Sequence, residues 1–243
     1  MRAFKTMKSV AAICSAVVIS GCVETTGSAV STAPSGPTTR SPAVASNDPA
    51  VQRYNRVLAR MEAVSERTCQ QRVRSGVNCD FKVVLDTDPD KPANAYQSLE
   101  RDGQPVITFT VALLKEMQND HEAAFVFGHE AAHHIAGHIP QMQQTATLGA
   151  VLGGGIAVLL GGGQSAVDIG TNLGGTVGAR AYSKDHELEA DALGARITHD
   201  AGYDPVMGAA FFERIPDPGN VFLGTHPPNA ERIATVRWAA ANF

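Results

Sequence analysis

The stretch FGHEAAHHIAGH, residues 127–138, places four histidines and one glutamate within twelve positions. His129 and His133 stand four apart, so on a helix they share one face, with Cβ atoms roughly 5–6 Å apart. Both imidazoles can then reach one zinc ion at about 2.0–2.1 Å. Glu130 projects to the side of that face, where it can act on a metal-bound water without ligating the metal. That division of labour is the physical content of the H-E-x-x-H spacing. Two imidazoles do not complete a catalytic zinc site, which takes three protein ligands and an open fourth position.

A third histidine at the end of H-E-x-x-H-x-x-G-x-x-H is excluded, because Ala136 holds the glycine position and Ile139 the final histidine position. The other arrangement takes a glutamate from a later helix, within E-x-x-x-D. Glu187 and Asp191 have that spacing in YSKDHELEADALGA, residues 182–195. Glu187 completes a His–His–Glu site. Asp191, one turn on, is placed to accept an imidazole N–H and fix its tautomer. Glu116 and Asp120 share the spacing but precede the metal helix, and Glu189 points to another face than Glu187. Of the other histidines, His134 and His138 read as packing or surface residues, and His121, His186 and His199 as solvated ones.

Regular elements must position these groups. Val51, Tyr54, Val57, Leu58, Met61 and Val64 recur at helical spacing and predict a helix over residues 51–73. FKVVLD (81–86) reads as a strand, and ANAYQSLERDGQPVITFT (93–110) as two short strands around an Asp102-Gly103 turn. A short helix in VALLKEMQ follows, then the metal helix, capped by Asn119 or Asp120. Helices are expected again over 184–201, 206–214 and 229–241. The fold class is α+β: a mostly helical zincin-like domain with a small β-sheet beside the active-site helix.

Between the two metal-bearing helices lies a segment rich in Gly, Ala, Leu and Val, residues 148–178. Gly149, Gly153, Ala157 and Gly161 make a row of small residues at i+4 spacing, which in a membrane would be a close-packing helix face. Repeated glycines weaken a helix by about 1 kcal/mol each. The expectation is helices or a mobile flap packed near the active site, with a membrane-contacting hairpin as the second choice.

The N-terminus has the layout of a secretory signal: three positive charges in MRAFKTMK, then a short apolar run. The run ends in Ile19-Ser20-Gly21-Cys22, which resembles a bacterial lipobox with cleavage before Cys22. Acylation there would anchor the chain, and the resemblance to sorted bacterial lipoproteins, with Val23 where inner-membrane retention has an aspartate, implies the outer membrane, facing the periplasm. Residues 1–21 are thus assigned to a signal peptide. Residues 22–50, rich in Ser, Thr, Pro and Ala, form a flexible tether, and residues 51–243 the folded domain that carries the metal motif. The formal charge of −4 becomes −7 once Arg2, Lys5 and Lys8 leave with the signal. A mildly acidic chain with no basic run argues against nucleic acid as a partner. Cys69 and Cys79 are left as a pair in an oxidising compartment and read as a disulfide. Their rival role as structural zinc ligands finds no further Cys or His nearby.

FGHEAAHHIAGH together with YSKDHELEAD resembles the HtpX and CAAX-prenyl-endopeptidase family of zinc metallopeptidases (gluzincins), especially its periplasmic BepA/LoiP-like lipoprotein branch. Asn94, Ala95 and Tyr96 are similar to its Asn-Ala-Phe strand, and AGYDP (201–205) and THPPNAERI (225–233) to its later signposts. Lys184 departs from the arginine usual after serine, which puts only a nearby anion contact in doubt. The resemblance implies one Zn2+ per chain on His129, His133 and Glu187, with Glu130 as general base on a zinc-bound water attacking a peptide carbonyl. It makes His226 a candidate oxyanion donor or fourth ligand; a plain loop histidine beside proline is the other reading. It also implies that the strand at Asn94, Ala95 and Tyr96 holds extended substrate. The expected partners are unfolded or misassembled envelope proteins, and a membrane reached through the lipid anchor. A protease-like chaperone for outer-membrane proteins, with latched or structural zinc, is the alternative, although a structural site has no need of Glu130. A third reading is a membrane-remodelling lipoprotein built on the glycine-rich segment.

Overall fold

The computed structural model describes residues 46–180, 183–217 and 227–243, all within one compact unit of the chain. Cys22, the signal peptide and most of the tether lie outside the described residues, as does His226. Helix α1 (Pro49–Arg72) starts where Asp48 accepts the Ala50 N–H at 2.8 Å and Pro49 takes the first turn. Its apolar face, Tyr54, Val57, Leu58 and Met61, is buried as the helical period requires. Cys69 near its end is joined by a disulfide to Cys79, with Cα atoms 5.7 Å apart, so the connection leading to the sheet is stapled to the helix.

Strands β1 (Lys82–Asp86), β2 (Ala95–Leu99) and β3 (Pro105–Thr110) form a sheet in the order β1-β3-β2. The Asp102-Gly103 turn, with Gly103 at φ 83°, makes β2 and β3 antiparallel neighbours. β1 pairs with β3 in parallel, so the chain crosses to the far edge before returning to the centre. All six residues of β3 are buried. β2 pairs with β3 alone among the described residues and keeps its outer edge open.

Thr110 caps α2 (Val111–Glu116) by accepting the Leu113 N–H. Helix α3 (Asp120–Ala136), the metal helix, opens with a side-chain cap from Asn119. Asn119 accepts from the Glu122 N–H at 3.0 Å, and Glu122 accepts from the Asn119 amide at 3.0 Å. Gly137, at φ 73°, ends α3 in the left-handed conformation. Helices α4 (His138–Leu159) and α5 (Gln164–Arg180) follow as a hairpin, then α6 (Ser183–Asp200), α7 (Pro205–Ala209), a 3-10 turn (Ala210–Glu213) and α8 (Asn229–Ala240). The helix expected over 206–214 is therefore broken, its second half wound more tightly. The glycine-rich segment is helical, but the expectation that it packs near the active site is corrected: His138, Ile139 and Met142, which precede it, line the cavity described below, while residues 148–178 do not, their glycines being taken up by the contact between α4 and α5.

Helices α3 and α6 cross where neither carries a side chain. A Cβ on Gly194 would lie 2.7 Å from the His129 nitrogen, and one on Gly128 would lie 2.7 Å from the Gly194 carbonyl oxygen. Bare backbone on both sides lets the two functional helices touch. One residue beyond Gly128 is His129, and two turns before Gly194 is Glu187.

Candidate active site

The close crossing brings His129, His133 and Glu187 together. The two Nε2 atoms are 3.0 Å apart, His129 Nε2 is 3.5 Å from Glu187 Oε2, and His133 Nε2 is 3.3 Å from Glu187 Oε1. A tetrahedral zinc centre with bonds of about 2.0–2.1 Å has ligand–ligand edges of about 3.3 Å, so the triangle matches the ion in size as well as in donor type. Each residue offers one donor atom to the common point.

Asp191 is fully buried and accepts from His129 Nδ1 at 2.9 Å. That bond places the ring hydrogen on Nδ1 and turns the Nε2 lone pair toward the triangle. Burial and the charge of Arg232 push the His129 pKa down, but the carboxylates of Asp191 and Glu187 outweigh them and raise it to about 10. The carboxylate field at this point favours positive charge, which a divalent cation supplies while His129 stays neutral.

The spacing rules did not single out Arg232, on α8. It is buried, donates to both oxygens of Asp191 at 2.7 and 2.8 Å, and lies over the Phe212 ring at 4.0 Å. Burial disfavours its charge, yet the hydrogen bonds and charge of Asp191 hold its pKa above the ordinary arginine value. The arginine lies within THPPNAERI, but no local pattern indicates that it faces a carboxylate forty-one positions away. His138, expected as a packing or surface residue, is a packing one. It is buried, its Nδ1 is 2.8 Å from that of His133, and its Nε2 is 3.3 Å from Glu189. Glu189 itself is exposed and off the triangle, as its helical phase requires. The expectation that His186 is solvated is corrected: it is buried and stacks on His138 with ring centroids 4.3 Å apart, because the start of α4 packs over that face of α6. His134 is a packing histidine, bonded to the Asn78 carbonyl at 2.7 Å and set edge-on to Phe81.

A cavity of about 780 Å³ opens on the triangle. Glu130 lines it beside the two histidines, as do Asn94, Ala95 and Tyr96 at the head of β2. A potential metal centre, a carboxylate beside it and an open strand edge therefore share one space. Residues 56–240 match the profile of Peptidase family M48.

The chain belongs to peptidase family M48.

Among proteins similar to it is the Beta-barrel assembly-enhancing protease of Escherichia coli (strain K12), 30% identical over 142 residues, covering 52% of this chain and 28% of the relative. The Mitochondrial metalloendopeptidase OMA1 of Arabidopsis thaliana is 30% identical over 132 residues, covering 52% and 26%. The Beta-barrel assembly-enhancing protease of Yersinia pestis is 27% identical over 139 residues, covering 52% and 29%. The matches span less than a third of each relative. The His–His–Glu triangle is consistent with a metal site of the kind that family carries.

Proposed function

We propose that this M48 metallopeptidase is a zinc-dependent endopeptidase that cleaves extended or misfolded envelope proteins. The observation that carries this reading is the shared cavity, in which the donor triangle, Glu130 and the free edge of β2 face one another. One zinc per chain, held by His129, His133 and Glu187, would supply the Lewis acidity that polarises a peptide carbonyl and acidifies a water. Glu130 takes the proton from the attacking water and passes it to the leaving amine. Asp191 fixes the tautomer of His129, and Arg232 holds Asp191 in place. The backbone at Asn94, Ala95 and Tyr96 receives the substrate as an added strand. Such binding reads backbone more than side chains, so it accepts many sequences and requires an unfolded segment. His226 is assigned as a candidate oxyanion donor or fourth ligand.

In this reading acylated Cys22 anchors the enzyme to the outer membrane, facing the periplasm. The lipobox-like residues support that location, as do the disulfide, which suits an oxidising compartment, and the reference to β-barrel assembly in the names of two relatives. The test is zinc content and casein cleavage for wild type, Glu130→Gln and Glu187→Ala. One zinc per chain with cleavage in wild type is expected. Glu130→Gln should keep the zinc and lose cleavage, and Glu187→Ala should lose both. Full zinc with no cleavage by wild type would favour the chaperone alternative.

A further inference from the structure

The α4–α5 hairpin is built inside out for a protein in water. Its two helices meet through their smallest residues: Gly149 against Gly174, Gly153 against Gly170, and Gly178 against Thr145, each so close that a Cβ would collide with backbone. The large aliphatic side chains point the other way. Leu148, Val151, Leu152, Ile156 and Val158 on α4, and Ile169 and Leu173 on α5, are exposed, as are Leu159 and Leu160 at the tip, at 87% and 82%. Within α4 only His138 and Gly154 are buried.

We propose that this hairpin enters a lipid bilayer, its tip reaching the far headgroups and its base holding the active-site cavity at the membrane surface. Residues 139–167 contain no Asp, Glu, Lys or Arg. At about 1.5 Å per residue, the part of α4 beyond the cavity-lining Met142, residues 143–159, extends about 26 Å. The hydrocarbon layer is about 30 Å thick and thinner in a bacterial outer membrane. A soluble core helix of this composition would be covered by protein and a signal sequence would lie at the N-terminus; α4 is neither.

Two features favour lipid over a protein partner. The exposed aliphatics of each arm lie on the side away from the glycine seam, so the two apolar faces point in opposite directions and continue over the tip. One docked protein covers one of them, whereas hydrocarbon covers both. Three threonine hydroxyls along the arms bond back into their own helices, which suits a medium without water. Thr147 donates to the Gln143 carbonyl at 2.8 Å, Thr176 to that of Asn172 at 2.9 Å, and Thr145 to that of Gln141 at 3.0 Å. Helices in lipid gain from the backbone approach that small residues allow. Asp168, the first acidic residue after this stretch, lies one turn into α5 and accepts from the Gln164 amide at 2.8 Å. A spanning hairpin puts that turn at the far headgroup layer. The lipobox-like Cys22 and the tether of residues 22–50 would keep the domain within reach of the bilayer.

The test uses the full lipidated chain reconstituted in phosphatidylethanolamine–phosphatidylglycerol vesicles, with an environment-sensitive dye on Ile156→Cys. Leu152→Cys serves as a second position on the same face, and Glu231→Cys on α8 as the aqueous control. Because the bilayer core excludes ions and water, iodide quenching at Ile156 and Leu152 should fall by roughly an order of magnitude relative to Glu231, and acyl-chain nitroxides should quench the dye. Iodide access at both positions equal to that at Glu231 would show a chain held by its lipid alone and overturn the proposal. Shielding that persists without vesicles and rises with protein concentration would show a second copy on this surface and overturn it equally.

Discussion

Replacing Gly194 with alanine tests whether the α3–α6 crossing sets the metal geometry. The new Cβ would lie 2.7 Å from the His129 nitrogen, 2.9 Å from its Cα and 3.0 Å from the Gly128 carbonyl carbon. All three are backbone atoms and cannot turn aside, so restoring ordinary contact requires the helices to part by about 1 Å, at the roughly 1–3 kcal/mol typical of overpacking. The same crossing sets the 3.3 and 3.5 Å separations from Glu187 to the two imidazoles and the 2.9 Å bond from His129 to Asp191. Parting by that amount breaks the Asp191 bond and stretches two edges of the triangle past the size of a zinc tetrahedron. Loss of an orienting contact alone costs about 10–100-fold in metal affinity, and the displaced ligand adds to it. Zinc affinity is read by competition with a chromophoric chelator, and the stability of the metal-free protein by urea unfolding. Gly155→Ala is the control, since nothing lies within 4 Å of a Cβ there; its zinc affinity should equal that of wild type. Wild-type zinc affinity in Gly194→Ala would refute the coupling between helix approach and ligand geometry.

Other expectations follow from the same contacts. Arg232→Met leaves the buried Asp191 carboxylate without its bidentate partner, and unfolding should show a loss of roughly 3–5 kcal/mol. Asp191→Asn leaves buried Arg232 without its nearest charged partner, so it should lower stability as well as weaken zinc binding about 10–100-fold, the latter measured by the same competition. Reducing the Cys69–Cys79 disulfide opens a ten-residue separation, and denaturant unfolding with and without reductant should differ by about 3 kcal/mol on the chain-entropy account. His134 is buried, which lowers its pKa, so the unfolded chain takes up its proton first as pH falls. Its contribution is complete above the unfolded value of about 6.5 and is lost as pH drops from there toward the folded value. The stability of His134→Gln should therefore fall less steeply than that of wild type over that window.

What the sequence reveals about the site follows from how local each signal is. Two histidines four apart, and a glutamate four before an aspartate, declare shared helix faces without reference to the rest of the chain. His129, His133, Glu187 and Asp191 were legible for that reason, and the family resemblance joined the two segments. The Asp102-Gly103 turn was equally plain and the cap was narrowed to Asn119 or Asp120, because a turn and a cap are each decided within four residues. The sheet was half legible. The Asp102-Gly103 turn specifies that β2 pairs with β3, but no short-range signal says that β1 joins the other side of β3 in parallel. Arg232 was opaque on the same principle, since a buried guanidinium is recognisable only once α8 is seen to lie against α6. His138 and His186 were assigned by default to packing, surface or solvent, and only the entry of α4 over α6 stacks their rings.

The glycines invert the usual meaning of composition. Gly128 and Gly194 read as weak points of two helices, yet the missing Cβ atoms are what allow His129 and Glu187 to approach one ion. In the α4–α5 hairpin the triple glycines suggested a flap, because helix propensity counts only what each residue costs its own helix. Propensity says nothing of what the absence of a side chain permits between two helices. Gly149, Gly153, Gly170 and Gly174 line one seam, and most large apolar side chains of residues 148–178 are thereby sent outward. The same residue type that joins the metal-bearing helices thus leaves the segment between them with an apolar exterior, joined to the active-site cavity by His138, Ile139 and Met142. On the reading proposed above, a peptidase whose cavity wall continues into such a hairpin would have its position relative to a membrane built into the chain between its own candidate metal ligands.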